Sequence, residues 1–171
     1  MNHDPIQLLI SEHDVIVSVK HKINESENTW QNSPDDYKKF VTRLIRFFRD
    51  YADKFHHFKE EDVLFPEMNK HPEFLHQDLI NEIEEQHETF RTYLKEIEEY
   101  LANEKWESAH KKLLHYFDEL QDHIAAENDE IFMMAKTLFT ENELERMYFR
   151  FIDFDTEYGQ TLKKELEGFG R

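Results

Sequence analysis

The chain has 171 residues, a formal net charge of −17, 39% apolar residues and 35% charged ones; that acidity disfavours nucleic acid and anionic membranes, which both select basic patches. Zero cysteines exclude disulfides, thiolate metal sites and cysteine nucleophiles, while eleven histidines stand out for this length. Fifteen Phe and seven Tyr argue against disorder, and three Gly with four Pro leave little material for a hairpin-rich all-β fold.

Helix punctuation is legible along the chain. Asp4 can cap a first helix with Pro5 in its first turn, and Ile6, Leu9, Ile10, Ile16 and Val17 follow at helical spacing. After the polar stretch "NESENTWQNS", Ser33, Pro34 and Asp36 signal a second start. This second helix carries Phe40, Leu44, Phe47, Phe48, Tyr51, Phe55 and Phe58 and runs to about Pro66. "NKHPE" breaks the chain before a third helix with Leu79, Ile83, Phe90, Leu94, Ile97 and Leu101. "ANEKW" precedes a fourth, with Leu113, Tyr116, Phe117, Leu120, Ile124, Ile131 and Met134. Thr140 and Glu143 have capping-box spacing and open an aromatic-rich fifth helix that frays near Gly159. Short links favour antiparallel neighbours. The expected fold is therefore all-α, an up-down-up-down four-helix bundle with an additional C-terminal helix. It forms one domain over 1–171, with the bundle at about 5–137 and the last helix at about 141–167. No apolar run approaches the roughly 20 residues of a membrane span. "MNHDPIQLLI" lacks the regions of a signal peptide. A soluble cytoplasmic protein is the default expectation.

The histidines and glutamates do not scatter around these helices. At about 100° per residue from Phe58, His57 falls at about −100° and Glu61 at about −60°, on the rim of the apolar stripe. His56 and Glu60 fall at about 160°, which puts them on the far side, facing solvent or the fifth helix. On the fourth helix, His123 and Glu127 take the same offsets from Ile124 that His57 and Glu61 take from Phe58. One His-x-x-x-Glu pair is most often a surface hydrogen bond; two matched pairs beside two apolar stripes point to a shared site. His13 lies within the first stripe and His87 beside the third. Counted from the links at about 1.5 Å per residue, His57, His87 and His123 agree in height to about 5 Å, and His13 to about 9 Å.

Four imidazoles and two carboxylates buried together need a cation to organise them. Without thiolates they suit iron, and also manganese or zinc, and six donors exceed one tetrahedral zinc. Two metals bridged by the two glutamates would use every donor and leave positions open for dioxygen, peroxide or nitric oxide.

These segments resemble the hemerythrin-like, or HHE cation-binding, family over roughly residues 6–135. "HFKEE" (57–61) looks like the family's His-Phe-x-x-Glu segment, "QHETF" (86–90) like its third-helix segment, "DHIAAENDEIF" (122–132) like its fourth, and His13 matches the first-helix ligand. The resemblance implies a centre of two iron ions, oxo- or hydroxo-bridged. It gives His13 and His123 to one iron and His57 and His87 to the other, with Glu61 and Glu127 between them. Oxygen-carrying hemerythrins place a further His where this chain has Ile83, and an Asp where it has Asn128. A six-ligand set results, closer to the diiron domain of iron–sulfur cluster repair proteins. Those proteins carry an N-terminal Cys-bearing segment that has no counterpart here. The implied function is binding or sensing of dioxygen or a related small molecule, served by a partner that supplies electrons. The alternative is a diiron enzyme acting on peroxide or nitric oxide, or an iron donor in cluster repair.

Overall fold

A computed structural model describes residues 3–170; Met1, Asn2 and Arg171, part of the expected domain, lie outside the described residues. Among these residues the chain is helical throughout, without strands. Helices α1 (Pro5–Ser18) and α2 (Lys20–Glu25) form the first arm, meeting end to end at Val19. The Asp4 carboxylate accepts from the amides of Ile6 and Gln7 and so closes the open N-terminus of α1. The second arm begins with α3 (Pro34–Phe47), where Ser33 occupies the cap position but makes no side-chain capping bond.

This second arm is not one regular helix. A π-helical stretch spans Phe48–His57 and a second spans Glu60–Leu64, before α4 (Phe65–Lys70) completes it. The third arm is α5 (Gln77–Ala102). The fourth is α6 (Trp106–Ala126), a π turn over Glu127–Ile131, and α7 (Phe132–Leu138). The expected single C-terminal helix is two. Thr140 and Glu143 form the capping box of α8 (Glu141–Tyr158). Gly159 then turns the chain at φ 109°, a conformation that suits glycine, and α9 (Gln160–Gly170) follows.

The arms close on one another: α1 packs on the π stretch, that stretch on α5, α5 on α6, and α6 on α2. α8 and α9 lie against α1 and the π-helical arm. The enclosed apolar side chains form two clusters. One contains Val15, Phe48, Phe55, Phe90 and Leu120; the other contains Leu9, Leu64, Ile83 and Ile131. In every arm the boundary between them falls where the sequence carries buried His or Glu. His13 lies between Leu9 and Val15, and His56, His57 and Glu60 between Phe55 and Val63. His87 lies between Ile83 and Phe90, and Glu127 between Ile124 and Ile131. A polar layer thus cuts across the core at a single level.

Candidate metal centre

Two groups of donor atoms meet in that layer: His13, His56, Glu60 and Glu127, and beside them His57, His87 and His123. All seven residues are buried, and His56, Glu60, His87 and Glu127 are fully so. Of the six residues expected from sequence, His13, His57, His87, His123 and Glu127 come together. Glu61 does not join them; its side chain is about one-fifth exposed. His56 and Glu60, expected to face outward, point inward. The grouping differs as well: His123 lies with His57 and His87 instead of with His13.

The second arm's backbone explains the change. A π-helix hydrogen-bonds i→i+5, and its turn holds more than the 3.6 residues of an α-helix, so each residue advances less than 100°. His56 and His57 consequently both reach the interior. Phe58, used to set the stripe, marks the flank instead: it is half-buried, against Phe154, Tyr158 and the Arg91 guanidinium. The repeated i,i+4 pair survives one residue earlier. His56 Nε2 lies 3.4 Å from Glu60 Oε1, and His123 Nε2 lies 3.2 Å from Glu127 Oε1.

Each imidazole is held from behind through Nδ1. His13 Nδ1–H donates to Asn128 Oδ1 (2.9 Å), and His56 to Glu12 Oε2 (3.0 Å). His57 donates to Asp53 Oδ1 (3.3 Å), His87 to Glu61 Oε1 (2.7 Å) and His123 to Gln86 Oε1 (2.6 Å). All five partners are oxygens, which accept only, so the proton sits on Nδ1 and Nε2 presents a lone pair. Second-layer contacts of this kind orient imidazoles that bind metals. Glu61 belongs here, as the partner of His87, and sequence reading missed Glu12, Asp53 and Gln86 in this layer. Asp53 carries a readable signal, since it stands four residues before His57 on the same arm.

The inward atoms lack such partners. His13 Nε2, His56 Nε2 and all four oxygens of Glu60 and Glu127 are buried without a hydrogen bond. His87 Nε2 and His123 Nε2 stand 3.1 Å apart, within hydrogen-bond distance of each other. Each carboxylate reaches both groups. Glu60 Oε1 faces His56, while Oε2 is 3.6 Å from His87 Nε2. Glu127 Oε2 is 3.2 Å from His13 Nε2, and Oε1 faces His123.

The ionisable groups of the layer oppose one another. Burial and the neighbouring Glu127 push the Glu60 carboxyl well above the usual carboxylate range. Burial would raise Glu127 as well, but His123, His13 and His87 hold it well below that range. Burial together with His13 pushes His56 down to about 4. Burial and His87 push His57 well down, and burial also lowers His123. His87 goes the other way: burial would lower it, but Glu127 and Glu61 raise it above its ordinary value. Imidazole nitrogens and carboxyl oxygens buried together without donors make the donor geometry of a cation site.

Fold and donors define a helical protein built around a buried histidine–carboxylate cluster suited to metal. The family model of the hemerythrin HHE cation binding domain matches residues 4–135, and the chain belongs to that family. No curated protein and no solved structure matches the chain. Among the described residues no helix is long and apolar enough to cross a membrane.

Proposed function

We propose that the protein is a cytoplasmic, non-haem diiron protein that binds or senses dioxygen or a related small molecule. In this reading it is a single domain of up-down-up-down helices with the C-terminal pair packed alongside. His13 and His56 would hold one iron and His57, His87 and His123 the other, with Glu60 and Glu127 placed to serve both. The observation that carries the reading is the division of each carboxylate, one oxygen turned to each group of imidazoles. Seven imidazole and carboxylate donors without thiolate fit a pair of irons and exceed one tetrahedral zinc. Iron bound here would supply redox change and open coordination positions, more of them on the half with two imidazoles. Around it the chain's own residues orient the donors through Nδ1, and Phe65, Phe90 and Phe132 shut out water.

Protein produced in iron-replete medium should contain about two irons per chain and show reversible spectral change between oxygenated and deoxygenated buffer. A fully folded chain without metal would overturn the reading. Steady turnover of peroxide or nitric oxide would replace binding by catalysis at the same centre.

A further inference from the structure

Behind His56 lies a closed ring of four charges. Lys59, on the π-helical arm, is fully buried, as are Glu12 and Asp155 to within a few per cent. Lys59 Nζ donates to Glu12 Oε1 (2.5 Å) and lies 2.6 Å from Asp155 Oδ1. Lys163 Nζ donates to the same Glu12 oxygen (2.5 Å) and to Asp155 Oδ2 (2.5 Å). Two ammonium groups alternate with two carboxylates, so the ring is neutral. Glu12 keeps its second oxygen for His56 Nδ1. Two members, Asp155 on α8 and Lys163 on α9, lie beyond residue 135, where the family match ends.

A buried ion cluster adds little stability over a well-packed apolar replacement. The desolvation cost of three buried charges and a fourth, Lys163, that is only 13% exposed therefore calls for a consequence other than holding α9 down, and Leu166 and Phe169 already pack α9 on the core. The consequence lies in Glu12. One of its oxygens takes both ammonium groups, Lys59 and Lys163, and the other takes His56 Nδ1–H. A carboxylate whose charge is shared with two ammonium groups accepts the Nδ1–H bond without drawing the proton across.

Resting on the diiron reading above, we infer that the C-terminal helix pair is a working part of the centre: Lys163 and Asp155, through Lys59 and Glu12, set the orientation and donor strength of His56. They are positioning residues and touch no metal. Removing Lys163 takes one of two ammonium donors from Glu12 and leaves its other oxygen the stronger acceptor of the His56 Nδ1–H bond. His56 then becomes the stronger donor, and the oxidised metal is favoured. Removing Asp155 frees both ammonium groups for Glu12 and acts in the opposite sense.

The test uses the full chain, iron-loaded, with Lys163→Met, Asp155→Asn and Lys163→Arg. Lys163→Met should lower the midpoint potential, change the oxidised spectrum and slow the release of one of the two irons, in the oxidised state, about tenfold. Asp155→Asn should raise the potential, and Lys163→Arg should return all three properties to the parent's. In the metal-free chain, ¹⁵N imidazole NMR should show His56 displaced by Lys163→Met while His123 stays in place. A variant that melts earlier but keeps the parent's potential, release rate and His56 resonance would overturn the inference. A parent chain without iron would overturn the diiron reading alone, and the His56 resonance would then decide the ring by itself.

Discussion

The two halves of the polar layer are held in different ways. His13 and His56 share their half with both carboxylates, and behind them stand Asn128 and the buried ring of Glu12, Lys59, Asp155 and Lys163. The half with His57, His87 and His123 has its supports near the surface. Arg91 spans Asp53 and Glu61, the partners of His57 and His87, and is itself about one-quarter exposed. His123 borders a cleft of about 430 Å³ between α5 and α6, lined also by Gln86, Phe90, Glu119, Asp122 and Ala126. One half is therefore fixed by buried charges with few ways to relax. The other is fixed by charges that water can replace, beside a route from solvent. The same imidazole chemistry is built once for rigidity and once for access.

The sharpest way to break this description is to exchange the roles of adjacent glutamates. Glu60 has an oxygen on each half, so Glu60→Ala should disrupt both, with iron affinity falling by more than about 100-fold and the bound iron per chain falling toward zero. Glu61→Ala should keep both irons and lose about tenfold in affinity, because it removes only the oxygen behind His87. Metal analysis after dialysis reads both variants. Equal losses would return Glu61 to the bridging position expected from the regular helix.

Stripping the metal tests the halves together. A ligand present at 1,000 times its dissociation constant stabilises the folded chain by about 4 kcal/mol. For a chain of this size, chelation should lower the melting temperature by roughly 8–16 °C. Hydrogen exchange should quicken most over Phe48–Leu64, where Glu60 loses the cation that balances Glu127 and the π-helical arm loses its reason to stay underwound. Quickening confined to α5 and α6 would reverse the assignment of rigid and accessible halves.

What the sequence made legible follows the regularity of each arm. α5 obeys the 3.6 period over its full length, so Ile83, His87, Phe90 and Leu94 come out on one face as the spacing predicts, with Ile80 buried ahead of them where Leu79 was expected. α6 is regular through Ala126, and His123 and Glu127 fall where expected. The same arithmetic failed on the second arm, where π-helical backbone changes the angle per residue and the ambiguous pairs His56/His57 and Glu60/Glu61 needed the phase to within one residue. No composition signal marks a π-helix in that run. Pro66 lies just past it and could remove only one ladder bond. The C-terminal half of the ring was hidden for another reason. Asp155 and Lys163 sit eight residues apart across the break at Gly159, so no helical period connects them. His110 is buried against Trp30 and Tyr37, packing that depends on tertiary contacts the spacing does not carry.

The smallest expected effect separates the two supports. Burial would raise the Asp53 carboxyl, yet His57 and Arg91 hold it down to about 2, so the link to His57 is charged at neutral pH. Arg91 is nevertheless partly exposed, and water can take over much of its bonding to Asp53 and Glu61. Arg91→Met should therefore cost no more than about 1 kcal/mol of stability, diminishing further as salt is raised. It should keep two irons and change their release rate by less than threefold. Lys163→Met, at the more deeply buried support, should change the release rate more than Arg91→Met does at every ionic strength. Measuring both variants across a salt series compares the halves directly: convergence at low salt would mean that solvent reaches both supports equally, and that burial of the ring makes no difference to the centre.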